Sequence, residues 1–159
     1  MANKADEILH RFAEHKHTAQ LTEELTRSGK RIHLKGLAGS AAAFVSAGAF
    51  SKTTQPYLFI LPDREEAAFF LNDMENLVGQ TNVLFFPASY RIPYEFEEVD
   101  NANILLRAEV LNKINLGQRH ICIVTYPEAL TEKVVTKKQL SKNTLVIKKK
   151  ENYSIGFIA

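Results

Sequence analysis

The stretch RIHLKGLAGSAAAFVSAGAF, residues 31–50, decides the fold class of this chain. Its beginning, RIHLKGL at 31–37, predicts a short β-strand, and its alanine-rich end, SAAAFVSAGAF at 40–50, predicts a helix. Gly36 and Gly39 lie between the two and supply a glycine-containing loop. A strand that runs into a helix through such a loop is typical of α/β domains.

The same alternation continues along the rest of the chain. Before it, residues 5–27 predict one or two helices that end at Gly29. After it, strands are predicted at YLFIL (57–61), NVLFF (82–86), HICIVT (120–125) and TLVIKK (144–149). Helices are predicted at 63–78, with Asp63 and Glu66 as a capping box and Gly79 at the end, at 103–116, and after Pro127.

Strands that alternate with helices at these spacings predict crossover connections and a mostly parallel sheet covered by helices on both faces. The predicted fold is therefore a three-layer α/β sheet of the P-loop NTPase (RecA-like) type. Ligands of such sheets bind beyond the carboxyl ends of the strands, where the loop after RIHLKGL is expected to lie.

Bulk properties place the chain among ordinary globular proteins. Its 159 residues suit one domain, and 45% apolar with 24% charged residues argue against disorder. The sequence predicts no membrane span and no signal peptide, so we expect a cytoplasmic location. The single cysteine, Cys122, is expected to be a buried, unreactive thiol. The five histidines show no metal-ligand spacing and are expected at the surface, with His15 and His17 pointing to different sides of a helix.

The loop at Gly36–Ala43 keeps the frame of a P-loop but not its chemistry. In the pattern GxxxxGK[ST] the glycines let the backbone N–H groups face the phosphates, the lysine reaches the β/γ oxygens, and the hydroxyl ligates Mg²⁺. The overlay keeps Gly36, Gly39 and Ser40, but it places Ala41 on the second motif glycine, Ala42 on the lysine and Ala43 on the hydroxyl. The sequence therefore predicts a vestigial loop, no catalytic residue, no metal site and no cofactor in this chain.

Three alternatives for phosphate chemistry remain open. The helix N-terminus after Gly39 retains free N–H groups that suit weak anion binding. A lysine outside the motif, Lys35 or Lys52, is a second source of positive charge, although neither is at the position that the motif uses. The third alternative is a divergent NTPase with an unrecognised phosphate site, but no Asp-Glu pair follows an apolar strand.

Positive charge is concentrated at the C-terminal end. Residues 131–159 contain seven lysines and two glutamates, a net charge of +5, so residues 1–130 carry −3. This end suits nucleic acid or an acidic partner, and it equally suits a solvated edge or linker. No aromatic residue is interleaved with the lysines to stack on bases. The candidate contact residues are Lys137, Lys138, Lys142, Lys148, Lys149 and Lys150.

Four segments in this order resemble the N-terminal, UvrB-like region of the bacterial transcription-repair coupling factors, the Mfd family. They are GLAGSAAAF (36–44), YLFILPDREEAAFFLNDMENL (57–77), VLFFPASYRIPYEFEEVDNANILLRAEVLNKI (83–114) and HICIVTYPEALTEKV (120–134). The resemblance covers roughly residues 18–150. Its motifs are individually weak, and their order and spacing are more specific.

The resemblance carries residue roles as well as a fold. It equates Gly36–Ala43 with the family's degenerate P-loop and Pro93–Phe96 with the loop after the third strand. Arg107 matches an arginine of the following helix. Around residues 100–103 the sequence departs from the family, which more often has an aspartate at a fixed distance before that arginine. We therefore expect Arg107 to hold the loop against the helix.

The resemblance also implies a function for the parent protein. Its members are ATP-driven DNA translocases that displace stalled RNA polymerase and recruit UvrA for nucleotide excision repair. ATP and Mg²⁺ would act in motor domains beyond this chain, and double-stranded DNA and RNA polymerase would be partners through the parent. Residues 1–130 would be the UvrB-like first domain with its N-terminal helices. Residues 131–159 would be a basic connector and the truncated start of the UvrA-binding domain.

Overall fold

The computed structural model describes residues 4–90 and 100–139. Two helices, α1 (Lys4–Glu14) and α2 (Lys16–Leu25), precede α3 (Ala41–Ser51). The remaining elements are β1 (Tyr57–Ile60), α4 (Arg64–Val78), β2 (Val83–Phe86), α5 (Asn101–Asn115), β3 (Cys122–Thr125) and α6 (Pro127–Thr131), with a 3₁₀ turn at Gln80–Asn82. The predictions of an α/β fold, of these helices and of the last three strands within the described part are confirmed.

The described sheet has three parallel strands in the order β1-β3-β2. Residues that are paired across the strands share a face, so Tyr57, Cys122 and Val83 point one way while Leu58, Ile123 and Leu84 point the other way. The first face is covered by α3 and α4, as the contacts of Tyr57 with Phe50 and of Phe59 with Phe70 show. Helix α5 packs on the second face against β2.

Local signals in the sequence account for the boundaries of α4. Asp63 accepts a hydrogen bond of 2.8 Å from the Glu66 N–H, as an N-cap residue should. Gly79 ends the helix with φ +83°, a conformation that favours glycine. Asp100 caps α5 in the same manner by accepting from the Ala102 N–H at 2.9 Å.

Close packing of α3 against α1 depends on a second glycine. A Cβ on Gly48 would lie 3.0 Å from Ala13 Cα and 3.3 Å from the Thr18 methyl carbon. Phe12 and Phe44 stack beside this contact with their ring centroids 5.2 Å apart. The small residues of α3 therefore let the N-terminal helices approach the core.

One prediction about the sheet is wrong. Residues 31–37 belong to no strand of the described sheet, and they are exposed. Their apolar residues Ile32, Leu34 and Leu37 line a groove together with residues of α1 and α2 instead. The predicted cover of both faces is incomplete among the described residues, because Leu58 and Ile60 on the second face of β1 are 55% and 54% exposed.

Candidate functional site

Both glycines of the loop before α3 have a left-handed backbone conformation. Gly36 and Gly39 have φ +81° and +53°, the left-handed conformation in which an L side chain is strained. The Ala41 N–H donates to Ala38 O at 3.1 Å, so one N–H of the first helical turn is satisfied inside the loop. Ser40 precedes the helix, and its side chain makes no capping hydrogen bond.

The side chains at the chemically active positions of the motif are methyl groups directed at the protein. Ala41 and Ala42 are partly buried, and Ala43, at the position of the Mg²⁺-binding hydroxyl, is 1% exposed. Ala43 belongs to the hydrophobic core. A hydroxyl at this position would face apolar atoms, where a polar group without a partner is costly.

Of the two alternative lysines, Lys52 lies too far from the loop to replace the missing one. Lys52 lies at the other end of α3, about 16 Å away for an 11-residue helix. Its Nζ donates to Ala13 O at 2.8 Å and to Glu14 Oε1 at 3.0 Å. This bond to Lys52 lowers the pKa of Glu14. Lys35 is exposed and lines the groove against α1 and α2. Lys52 therefore anchors α3 to α1, and rescue of the loop by this residue is ruled out by its position.

The groove beside the loop has a volume of about 700 Å³ and is mostly apolar. Its walls are α1, α2 and the segment 31–37, which contribute Phe12, Leu21, Ile32 and Leu34. Its lining also includes three imidazoles, two cationic side chains and one carboxylate, namely His15, His17, His33, Arg11, Lys35 and Glu24. Arg11 is already paired with Glu7 at 2.7 Å.

The histidines differ from their prediction in two places. His15 lies outside α2 as its N-cap residue, and its Nδ1 accepts from the His17 N–H at 3.3 Å. The two rings therefore meet edge to face, 4.9 Å apart, and do not point to different sides of one helix. His120 is partly buried, because its ring stacks on Phe50 at 4.2 Å and its Nδ1 lies 2.8 Å from Thr53 O. The four histidines other than His120 are exposed, as predicted.

A buried polar network at the carboxyl ends of β2 and β3 is the most tightly built polar feature of the described residues. Its centre is Arg107 of α5, which is 6% exposed. The Arg107 Nη1 donates to Pro87 O at 2.7 Å and to Ala129 O at 3.0 Å. Its guanidinium carbon lies 4.2 Å from the centroid of the Phe86 ring. Burial lowers the pKa of Arg107, and the negative charge of Glu132 opposes that shift.

Glu132 extends the network to the segment that follows β2. Its two carboxylate oxygens accept from the Ser89 N–H at 2.9 and 3.0 Å, and Oε2 also accepts from Ser89 Oγ at 2.7 Å. The same Oε2 lies 3.5 Å from Arg107 Nη2. A carboxylate that binds both a buried guanidinium and a backbone N–H fixes the positions of α5, α6 and this segment together.

The remaining backbone groups of residues 86–89 are bound to neighbouring side chains. Thr125 Oγ1 donates to Phe86 O at 2.7 Å, the Ala88 N–H donates to Tyr126 Oη at 2.9 Å, and Asn103 Nδ2 donates to Ala88 O at 2.9 Å. The Asp100 N–H donates to Ser89 O at 3.0 Å, so the described residues on the two sides of residues 91–99 are joined. Arg107 binds Pro87 O and thus holds the segment after β2 against α5. The loop at Pro93–Phe96, which Arg107 was expected to hold, lies outside the described residues.

Sequence reasoning identified Arg107 but missed its partners. Asn103 and Arg107 are four residues apart, and with Val110 they form the buried face of α5. A charged residue on the buried face of a helix signals a buried partner, but nothing in the sequence identified Glu132 or Ser89 as that partner. Glu132 also lies beyond the predicted domain boundary at residue 130, and its bonds to Ser89 attach it to the first unit.

The lysine-rich end is only partly within the described chain. Lys137 and Lys138 are exposed on a helical turn that begins at Thr136, where Thr136 and Gln139 bond reciprocally as a capping box. The other candidates, Lys142, Lys148, Lys149 and Lys150, lie outside the described residues. Of the six candidate lysines, the structure therefore describes only Lys137 and Lys138.

Cys122 is fully buried, and burial raises the pKa of its thiol to about 12. The prediction of an unreactive thiol is in keeping with this environment. Residues 4–90 and 100–139 contain no group of three or more His, Cys, Asp or Glu side chains placed to hold a metal ion. In the same ranges, no helix is long and apolar enough to cross a membrane.

Comparison of the chain with protein-family models, with curated proteins and with solved structures gives no match.

Proposed function

We propose that this chain is a non-catalytic module of a transcription-repair coupling factor, with a RecA-like sheet whose P-loop has lost its phosphate chemistry. The observation that carries the proposal is the environment of Ala43. This residue takes the place of the Mg²⁺ ligand in the motif, and its side chain is part of the hydrophobic core. A loop built in this way supports packing and offers no ligand for the metal ion of a nucleotide.

The loss of the motif lysine also argues against phosphate chemistry in this loop. Phosphoryl transfer depends on positive charge placed against the oxygens of the transferred group. Ala42 supplies none, and Lys52 is engaged by Ala13 and Glu14 at the far end of α3. Useful hydrolysis by this chain is therefore not expected. In the proposed parent, ATP and Mg²⁺ would be used by separate motor domains.

The buried network gives the module a structural task. Arg107 and Glu132 join α5, α6 and the segment after β2 with hydrogen bonds of 2.7–3.0 Å. Such a network holds the carboxyl edge of the sheet in one arrangement, so the edge suits contact with other parts of a larger protein. We infer that the module supports a neighbouring UvrA-binding domain and restrains the motor, and that it acts in the cytoplasm on damaged DNA through its parent.

The identity is tested by the coding sequence that follows residue 159. The proposal predicts an open frame with helicase motifs, including an intact GxxxxGK[ST] loop, and a polymerase-binding domain before it. A frame that continues into an unrelated domain would contradict the assignment to a coupling factor. A frame that lacks any motor motif would contradict it equally.

A further inference from the structure

The second face of the sheet carries an apolar groove that no described element covers. The groove has a volume of about 660 Å³, and its floor is formed by Leu58 of β1, Ile123 of β3 and Phe86 of β2. One wall is the C-terminal half of α5, with Leu111 and Ile114. The opposite wall is formed by residues 130–134, with Leu130 and Val134.

The apolar side chains around this groove are far more exposed than core residues. Leu58, Ile114, Leu130 and Val134 are between 44% and 55% exposed. Ile60, next along the same face of β1, is 54% exposed. Contiguous apolar surface of this kind marks a binding surface in a folded protein, because its exposure to water is unfavourable.

The chain itself provides a segment that fits the groove. The wall residue Val134 is only eleven positions before Leu145, the first residue of the apolar run Leu145–Ile147. Eleven residues span up to about 36 Å when extended, whereas three adjacent strands are only about 10 Å across from first to last. The run can therefore reach every part of the floor from the wall to which it is connected.

Connection and composition favour this segment over a separate molecule. A tethered segment meets its site at an effective concentration in the millimolar range, which a second copy does not reach in dilute solution. Lys142 on one side and Lys148–Lys150 on the other flank the run. Lysine side chains beside a buried apolar run extend their charged ends into water, so they suit the rim of such a groove.

We infer that Leu145–Ile147 binds in the groove between α5 and residues 130–134, covering Leu58 and Leu130. The groove is then an internal docking site for the C-terminal segment of the same chain. This assignment extends the first structural unit past residue 147. It uses only the exposed face of the sheet and the chain connected to it, and it differs from the expected domain division, which assigned residues 131–159 to a connector and the next domain.

Paired cysteines in the full chain test the inference. The variant L58C/I147C places one thiol on the groove floor and one in the segment, and the native Cys122 stays unreactive because its thiol is buried. The control F69C/I147C places the first thiol on exposed Phe69 of α4, which covers the opposite face of the sheet. Mild oxidation at low micromolar protein is followed by non-reducing electrophoresis and mass spectrometry. We expect L58C/I147C to form an intramolecular disulfide at least tenfold faster than F69C/I147C.

Equal rates of disulfide formation in the two pairs would overturn the inference. A disulfide-linked dimer as the main product would also overturn it, because it would indicate a second copy in the groove. L130C/I147C repeats the test from the wall of the groove if L58C/I147C does not fold. In a separate measurement, L145D/I147D should increase the fluorescence of an apolar-surface dye severalfold relative to the control N143D. Unchanged dye binding would also count against occupation of the groove.

Discussion

Replacing Arg107 by methionine tests the buried network at the ends of β2 and β3. Methionine retains most of the apolar contact with Phe86 and removes the charge and the donors. Pro87 O and Ala129 O then lose bonds of 2.7 and 3.0 Å, and Glu132 loses the cation 3.5 Å from its carboxylate. Removal of one partner from a buried ion pair costs about 3–5 kcal/mol. Glu132 keeps its bonds to Ser89, so we expect about 3 kcal/mol.

The matched control is Lys113→Met on the same helix. Lys113 pairs with Glu109 at 3.0 Å, but half of the Glu109 side chain is exposed, so the loss should stay below about 1 kcal/mol. Glu132→Gln should fall between the two variants, because an amide oxygen can still accept from Ser89. Urea unfolding followed by far-ultraviolet circular dichroism gives the three free energies of unfolding. An Arg107→Met cost below about 1 kcal/mol, or one no larger than that of Lys113→Met, would refute the role assigned to the network.

Three further predictions concern the core and the loop. Burial raises the pKa of Cys122 to about 12 and also raises the pKa of Tyr57. The protonated form of each side chain therefore favours the folded state. This stabilisation is lost as the pH rises above the pKa that the group has in the unfolded chain. Stability should therefore fall from pH 9 upward, by as much as about 1.4 kcal/mol per pH unit from Cys122, and Tyr57 should add to the fall above pH 10. Cys122→Ala should show a shallower fall in urea titrations at several pH values. Ala43→Thr should lower the free energy of unfolding by about 1–3 kcal/mol in the same assay, because it forces a hydroxyl and a methyl group into the core. An unchanged stability would show that position 43 is not packed. Gly48→Ala should lower the melting temperature despite the better helix propensity of alanine, since its Cβ would meet Ala13 Cα at 3.0 Å. A higher melting temperature would show that α1 and α3 are not closely packed.

Local signals made the helices of this fold readable from the sequence. Asp63 at the start of α4 and Gly79 at its end act through contacts within a few residues, so the sequence alone contains the information. Strands β1, β2 and β3 were readable because each is a short apolar run between a helix and a turn. The same reasoning failed at residues 31–37, where the apolar side chains are exposed and line a groove beside α1 and α2. A short apolar pattern cannot distinguish a segment that pairs with a strand from one that only lies beside helices.

The sequence predicted the central arginine of the polar network but not the residues that it binds. Arg107 could be singled out in the sequence, yet its partners come from residues 87, 129 and 132, which only the fold brings together. The half-exposed face of β1 also has no local signature, because YLFI is apolar throughout and predicts burial on both sides. These features depend on which elements are neighbours in space.

The central claim is that the Gly36–Ala43 loop does not bind or hydrolyse a nucleotide. Titration of the chain with ATP and Mg²⁺ tests this claim most directly. Calorimetry and phosphate release would be measured on the natural chain and on Gly36→Ala/Gly39→Ala, which alters the loop without touching Ala43. The account predicts no saturable heat and no phosphate release above the buffer background for either protein. Saturable binding with turnover in the natural chain that is abolished by the loop variant would contradict it.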